Sequence, residues 1–286
     1  MRDNEERFSS LAGMEPAAAA QQATVAGGGQ LNFASPTEFV ELPSRGRFYP
    51  PSHPLHNKET VEIKFMTAKE EDILTSKALI KKGIAVDRML QSLIVDKSIK
   101  VEDLLVGDKN ALVVAARVSG YGENYEVAVT CPACETKAKH QFDLSILGTK
   151  EPEDLEELSV QETGNGTFLT RLYKTDVEVE FRLLYGRDEV AILNEMAMKK
   201  NKTVQVEKNS TSQLKRVIVA VNGITDRQQI SNFVENMPAL DSRQLRAVLR
   251  RINPEVDMNQ TFECASCGHE EEMEVPFTVE FVWPMC

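Results

Sequence analysis

Apolar and polar positions alternate through Val61, Ile63 and Phe65, the period of a strand with one buried face. Thr67 and Glu70 follow as a capping-box pair, in which hydroxyl and carboxylate each satisfy an orphan amide at a helix start. The helix predicted from there places Ile73, Leu74 and Ile80 on one face and ends at Gly83, which suits a left-handed turn. Two more core-facing helices are predicted. One runs from Asp87 through Met89, Leu90 and Leu93 to Ile94, and the other from Asp108 through Leu112 and Val113 to Val118.

Residues 125–130 alternate like a strand, run into Cys131-Pro132-Ala133-Cys134, and are answered by residues 139–144. This pattern predicts a hairpin with thiols at its tip. Residues 151–162 are dense in carboxylates and Gly164-Asn165-Gly166 is turn chemistry, so the simplest expectation is a solvated linker. Two strands are predicted at 168–173 and 177–184, after which the hydrophobic period changes from 2 to 3.6. Helices are expected at 188–199, 212–221, 227–235 and 242–252, with Thr211 and Asp241 as N-caps and Pro238 and Pro254 as stops. Phe262 then leads into Cys264-Ala265-Ser266-Cys267-Gly268, a second thiol-bearing hairpin whose return strand carries Met273, Val275 and Phe277.

The start of the chain has no such periodicity. Residues 1–36 hold Ala17–Ala20 and Gly27–Gly29 among Gln, Ser and Asn, too few large apolar groups to offset backbone ordering, and are expected to be disordered. From 37 to 60 the prolines at 43, 50, 51 and 54 restrict the backbone, and an extended arm is predicted. Arg45, Arg47, Phe48 and Tyr49 on that arm are candidate partner-binding residues, because a rigid aromatic and cationic strand docks at low entropic cost. An arm folded back on its own domain satisfies the same pattern.

The net charge of -11 argues against nucleic-acid binding through bulk electrostatics. No long uninterrupted apolar run and no leader-like N-terminus is present, so no membrane association and a cytosolic site of synthesis are expected. In that compartment, close cysteine pairs point to metal or redox chemistry more than to structural disulfides. Two turns with two residues between thiols supply the four ligands that tetrahedral zinc prefers. Cys131, Cys134, Cys264 and Cys267 are therefore the predicted ligands of one structural Zn2+, which would close the chain across the intervening segment. Separate sites using His140 or His269, and thiols that merely pack, are the alternatives. A redox pair lacks its βαβ context, and a catalytic zinc lacks an open position. Cys286 is expected to be an incidental thiol, His53 and His56 surface histidines, and Met196 and Met198 core. The acid pairs Glu70-Glu71 and Glu156-Glu157 are expected to be solvated.

The expected fold class is α+β: a mixed helical domain with two CxxC zinc-knuckle hairpins joined by a β-hairpin plus helical insertion. Its parts are a disordered tail (1–36), the proline and aromatic arm (37–60), a helical region ending in the first CxxC hairpin (61–150), an inserted strand-plus-helix subdomain (151–258), and the second hairpin with a C-terminal strand (259–286).

The order of Leu42-Pro43-Ser44-Arg45-Gly46-Arg47-Phe48-Tyr49-Pro50, Thr67-Ala68-Lys69-Glu70-Glu71-Asp72-Ile73-Leu74, the two CxxC hairpins, the Asp226 and Asp241 region, and Phe281-Val282-Trp283-Pro284 resembles the baseplate proteins of T-even-like contractile-tailed phages. That group includes hub subunits and hub-assembly factors. The resemblance spans about 38–284 and implies a structural or assembly role without catalysis, with other phage baseplate or tail proteins as partners. It also implies residence in the host cytoplasm during assembly and in the virion tail baseplate if the protein is retained. Residue patterning leaves a second class open: a zinc-ribbon nucleic-acid-binding or regulatory factor using the basic face Arg243, Arg246, Arg250 and Arg251, which as readily forms a solvated, ion-paired surface.

Overall fold

The alternation at Val61 and Ile63 does make a half-buried strand. In the computed structural model, which describes residues 35–200, 209–276 and 279–282, β1 (Thr37–Glu41) pairs antiparallel with β2 (Thr60–Lys64), with Thr37 opposite Lys64. Val61 and Ile63 point into the core. The Thr67–Glu70 capping box then starts α1 (Ala68–Thr75). The single helix expected here is broken: Ser76 leaves helical geometry and a short α2 (Lys77–Lys81) follows, so Ile80 stays 46% exposed. Glu70, expected to be solvated, is buried because Thr67 and Ser92 both donate to its carboxylate.

α3 (Ala85–Leu93) buries Met89, Leu90 and Leu93, and α4 (Val106–Tyr121) buries Leu112, Val113 and Ala116. β3 (Asn124–Thr130) pairs antiparallel with β4 (Lys137–Asp143). β5 (Gly148–Lys150) finds its partner far along the chain, in the strand at Glu255–Asp257. The carboxylate-rich stretch is no linker. It contains β6 (Val160–Glu162), edge strand of a four-stranded antiparallel sheet with β7 (Phe168–Arg171), β8 (Glu178–Phe181) and β9 (Ile218–Val221) in that order. Leu158 and Val160 are buried, while Glu151, Glu153 and Glu162 reach back to Arg45, Arg251 and Arg47.

α5 (Gly186–Lys200) and α6 (Asn209–Val217) precede β9. The helix expected across 212–221 stops at Val217, since the β-branched run that follows pairs with β8, Val179 facing Val221. α7 (Arg227–Asn236) is capped by Asp226, whose carboxylate accepts from Gln229 N–H at 2.9 Å. α8 (Ala239–Ile252) begins at Pro238, not at Asp241. Asp241 is fully buried and instead accepts from the Lys174 and Thr175 amides and the Thr175 hydroxyl, holding the β7–β8 turn onto α8. Thr211 lies inside α6, which begins at Asn209. β10 (Glu255–Asp257), β11 (Asn259–Glu263), β12 (Glu270–Glu274) and α9 (Val279–Val282) complete the chain, with β11 and β12 antiparallel.

The proline-rich arm folds back instead of extending. Leu42, Phe48 and Tyr49 are each 1% exposed, so the rings of Phe48 and Tyr49 are unavailable to a partner, contrary to the docking expectation for them. The cause is Asp108 on α4. Its fully buried carboxylate accepts from Ser44 N–H (2.9 Å), Ser44 Oγ (2.6 Å) and Tyr49 OH (2.8 Å), and the tyrosine oxygen accepts in turn from Leu105 N–H at 2.9 Å. Burial pushes the Asp108 carboxyl upward, against those three hydrogen bonds. Gly46, at φ +72°, makes the turn possible; a Cβ there would lie 2.4 Å from Leu55 O and Lys58 N. Arg45 and Arg47 do remain on the surface, in ion pairs with Glu151 and Glu162.

Thr37–Cys286 forms one compact unit. A single hydrophobic cluster joins Tyr49 of the arm, Leu112 of α4, Phe142 of β4, Phe181 of β8, Leu245 of α8 and Phe262 of β11. The expected tail through residue 34, residues Phe277, Trp283, Pro284 and Cys286, and the side chains of Met196 and Met198 lie outside what is described.

Candidate metal centre

The segments between β3 and β4 and between β11 and β12 have the same backbone plan. Cys131 N–H donates to Thr136 O at 3.0 Å and Glu135 N–H to Cys131 O at 2.9 Å. Cys264 N–H donates to His269 O at 2.9 Å and Gly268 N–H to Cys264 O at 2.8 Å. In each turn the residue after the second cysteine is left-handed, Glu135 at φ +57° and Gly268 at φ +69°. A left-handed residue at that point reverses the chain so that both sulfurs of a pair face the same way. Glycine adopts that conformation without strain, so Gly268 marks its turn in the sequence, whereas Glu135 in the same conformation carries no such mark.

These turns bring the four thiols together. The Sγ atoms of Cys131, Cys134, Cys264 and Cys267 all lie within 4.8 Å of one another. Two separations cross between the hairpins at 3.8 Å, Cys131 to Cys267 and Cys134 to Cys264. A tetrahedral ion with metal–sulfur bonds of about 2.3 Å places its ligands about 3.8 Å apart, whereas a disulfide needs sulfurs at about 2.0 Å. The thiols are free, and the cage has the size of a four-thiolate metal site. His140 and His269, the alternative ligands, are not part of it: His140 stacks edge-on against Phe142 and Phe262, and His269 faces Glu271.

Electrostatics favour a cation in the cage. The Thr136 hydroxyl, 3.3 Å from Cys134 Sγ, and the Thr136 N–H hold the Cys134 thiol down to about 6. Amides of Ser266 and Cys267 lower Cys264. His269 N–H also favours the Cys267 thiolate, but crowding by Cys134, Cys264 and Cys131 outweighs it and pushes that thiol up to about 12. Four thiolates so close repel one another, and a divalent ion removes the conflict. Backbone amides aimed at ligating sulfur are the outer shell such a site requires. Cys131 and Cys264 are buried, while Cys134 and Cys267 reach solvent, which leaves the ion an entry path.

The hairpins are also tied away from the thiols. Gln260 on β11 accepts from Asp143 N–H (3.2 Å) and donates to Asp143 O (2.6 Å), mimicking one rung of strand pairing with β4. Nothing in the pattern of the chain marked Gln260. Tyr125 of β3 meets Phe281 of α9 edge-on. His53 and His56 do not converge on a site: His53 stacks on Tyr49, and His56 Nδ1 lies 2.7 Å from Tyr49 O.

Mixed helices and small antiparallel sheets around one core, with a four-cysteine cluster able to hold a metal ion, define a metal-competent α+β protein. The chain belongs to the family of T4 bacteriophage base plate proteins, whose family model matches residues 37–283. Membership carries a structural role in a phage base plate, and other phage tail proteins as its interaction partners. Neither the comparison with curated proteins nor that with solved structures gives a match. No helix among the described residues is long and apolar enough to cross a membrane.

Proposed function

We propose that the protein is a non-enzymatic component or assembly factor of the hub region of a contractile-tail base plate, braced by one structural zinc. Family membership across residues 37–283 supports the base-plate role. The observation that carries the zinc is the cage itself, four Sγ atoms within 4.8 Å drawn from turns about 130 residues apart. Four thiolates saturate a tetrahedral ion and leave no position for a reacting water, so the metal holds structure and performs no chemistry. Each pair sits in a zinc-knuckle hairpin, and the ion fixes the two knuckles to one another. Among the described residues this is the one cluster of three or more potential metal ligands.

In this reading the protein works through protein contacts, in the host cytoplasm during assembly and in the tail if it is retained. Arg45 and Arg47 are the surviving docking candidates of the arm. Co-expression with the other base-plate proteins of the same phage, followed by pull-down and mass spectrometry of purified virions, tests the role. The expected result is a stable complex with at least one hub protein. Normal base plates assembled without the chain, and no such complex, would contradict it.

A further inference from the structure

We infer that the groove between α5, α6 and α8 receives a segment of another base-plate protein that presents an apolar anchor with carboxylates beside it. The groove has a volume of about 600 Å³, and its lining includes Leu184, Ile192, Leu193, Val217 and Leu249. Leu193 is left 55% exposed there. Apolar surface concentrated in a concavity, and not scattered singly, marks a contact site.

Charge states what the anchor carries with it. The chain has 44 acidic against 33 basic residues, and Arg45, Arg47, Arg182, Arg187, Arg216 and Arg251 all sit in ion pairs. Arg243, Arg246 and Arg250 recur at helical spacing along α8 and are exposed. No ion pair with a described carboxylate takes them up. Among the described residues Arg246 donates to Ser242 O and Ser210 Oγ, and Arg246 and Arg250 both line the groove. Two acids also line it: Glu189 is matched by Lys109, which leaves one carboxylate, Glu255, against two arginines. In a chain with surplus carboxylates, arginines without an ion-pair partner among the described residues, set beside an apolar groove, are complementary to acidic residues on something else. The aliphatic lining favours a protein over a nucleic acid, whose bases stack on aromatic platforms.

This inference rests on the base-plate reading, and one experiment separates the two. The full-length chain is titrated against each purified base-plate protein of the same phage, as wild type, as Leu193→Glu and as the Arg246→Glu/Arg250→Glu double variant. Tyr173→Glu, at an exposed position outside the groove, is the control, and metal content with thermal melting verifies that each variant folds. One partner should bind, both groove variants should weaken it by about tenfold or more, and Tyr173→Glu should not. The wild-type interaction should weaken with salt and the double variant's should not. Binding that survives both groove variants overturns the groove assignment and leaves the base-plate reading standing. No binding to any base-plate protein, with base plates that assemble without the chain, overturns the base-plate reading itself. Self-association, or salt-sensitive binding of duplex DNA, abolished by both groove variants would overturn the inference by showing a different occupant.

Discussion

Glu135 occupies a left-handed backbone conformation, at φ +57°, where its counterpart in the other turn is Gly268. A side chain there costs about 1 kcal/mol. Glu135→Gly is therefore expected to raise stability by roughly 0.5–1 kcal/mol, and Gly268→Ala to lower it by about 1 kcal/mol, in denaturant titrations of metal-loaded protein. Asp108 tests the arm: Asp108→Ala strands Ser44 and Tyr49 donors in the core and should cost about 3 kcal/mol. A cost under about 0.5 kcal/mol would show that the arm is not anchored there. Asp188 supplies the pH dependence. Burial pushes its carboxyl up, but Arg182, at 2.6 and 3.0 Å, and the Tyr185 N–H outweigh this and hold it below its ordinary 3.8. A depressed folded value means the stabilisation is complete above pH 3.8 and is lost as pH falls further. Acid titration of Asp188→Asn should show a shallower loss of stability in that range than wild type.

At the scale of elements, the sequence was most readable where a local rule decided the outcome. The capping box at Thr67 and Glu70, the alternation of β2 and β3, and the long apolar faces of α3 and α4 all formed as their patterns require. Legibility failed where a distant partner decided. Residues 218–221 are apolar enough for helix or strand, and only pairing with β8 selects strand. Most carboxylates at 151–162 do face solvent, but the stretch read as a linker because the strand and the arginines that hold it lie in β7, the arm and α8. The arm itself read as extended because its anchor, Asp108, lies 64 residues from Ser44. The four ligands were visible because thiol chemistry leaves few alternatives, whereas the Gln260 clamp is an ordinary polar residue until β4 is beside it. Chelation should loosen β3–β4 and β11–β12 together, seen as a concerted rise in amide hydrogen exchange, while the four-stranded sheet keeps its protection. Loosening of only one hairpin would mean that the pairs act separately.

At the scale of the molecule, a metal held by the four thiols would link points about 130 residues apart, and the chain between them contributes to the same core as the chain before it. A cross-link closing a loop of that length removes on the order of 4–5 kcal/mol of unfolded-state entropy in the chain-entropy picture. Such a staple would matter because the hairpins are small two-stranded sheets, a form that is marginal alone in water. The most direct test of the central claim is native mass spectrometry, with elemental analysis, of the full-length chain purified without added metal, beside Cys264→Ser. The account predicts one zinc per wild-type chain and its loss in the variant, together with a lower melting temperature. A wild-type chain that carries no zinc, or two, or a variant that keeps both its zinc and its stability, would contradict it.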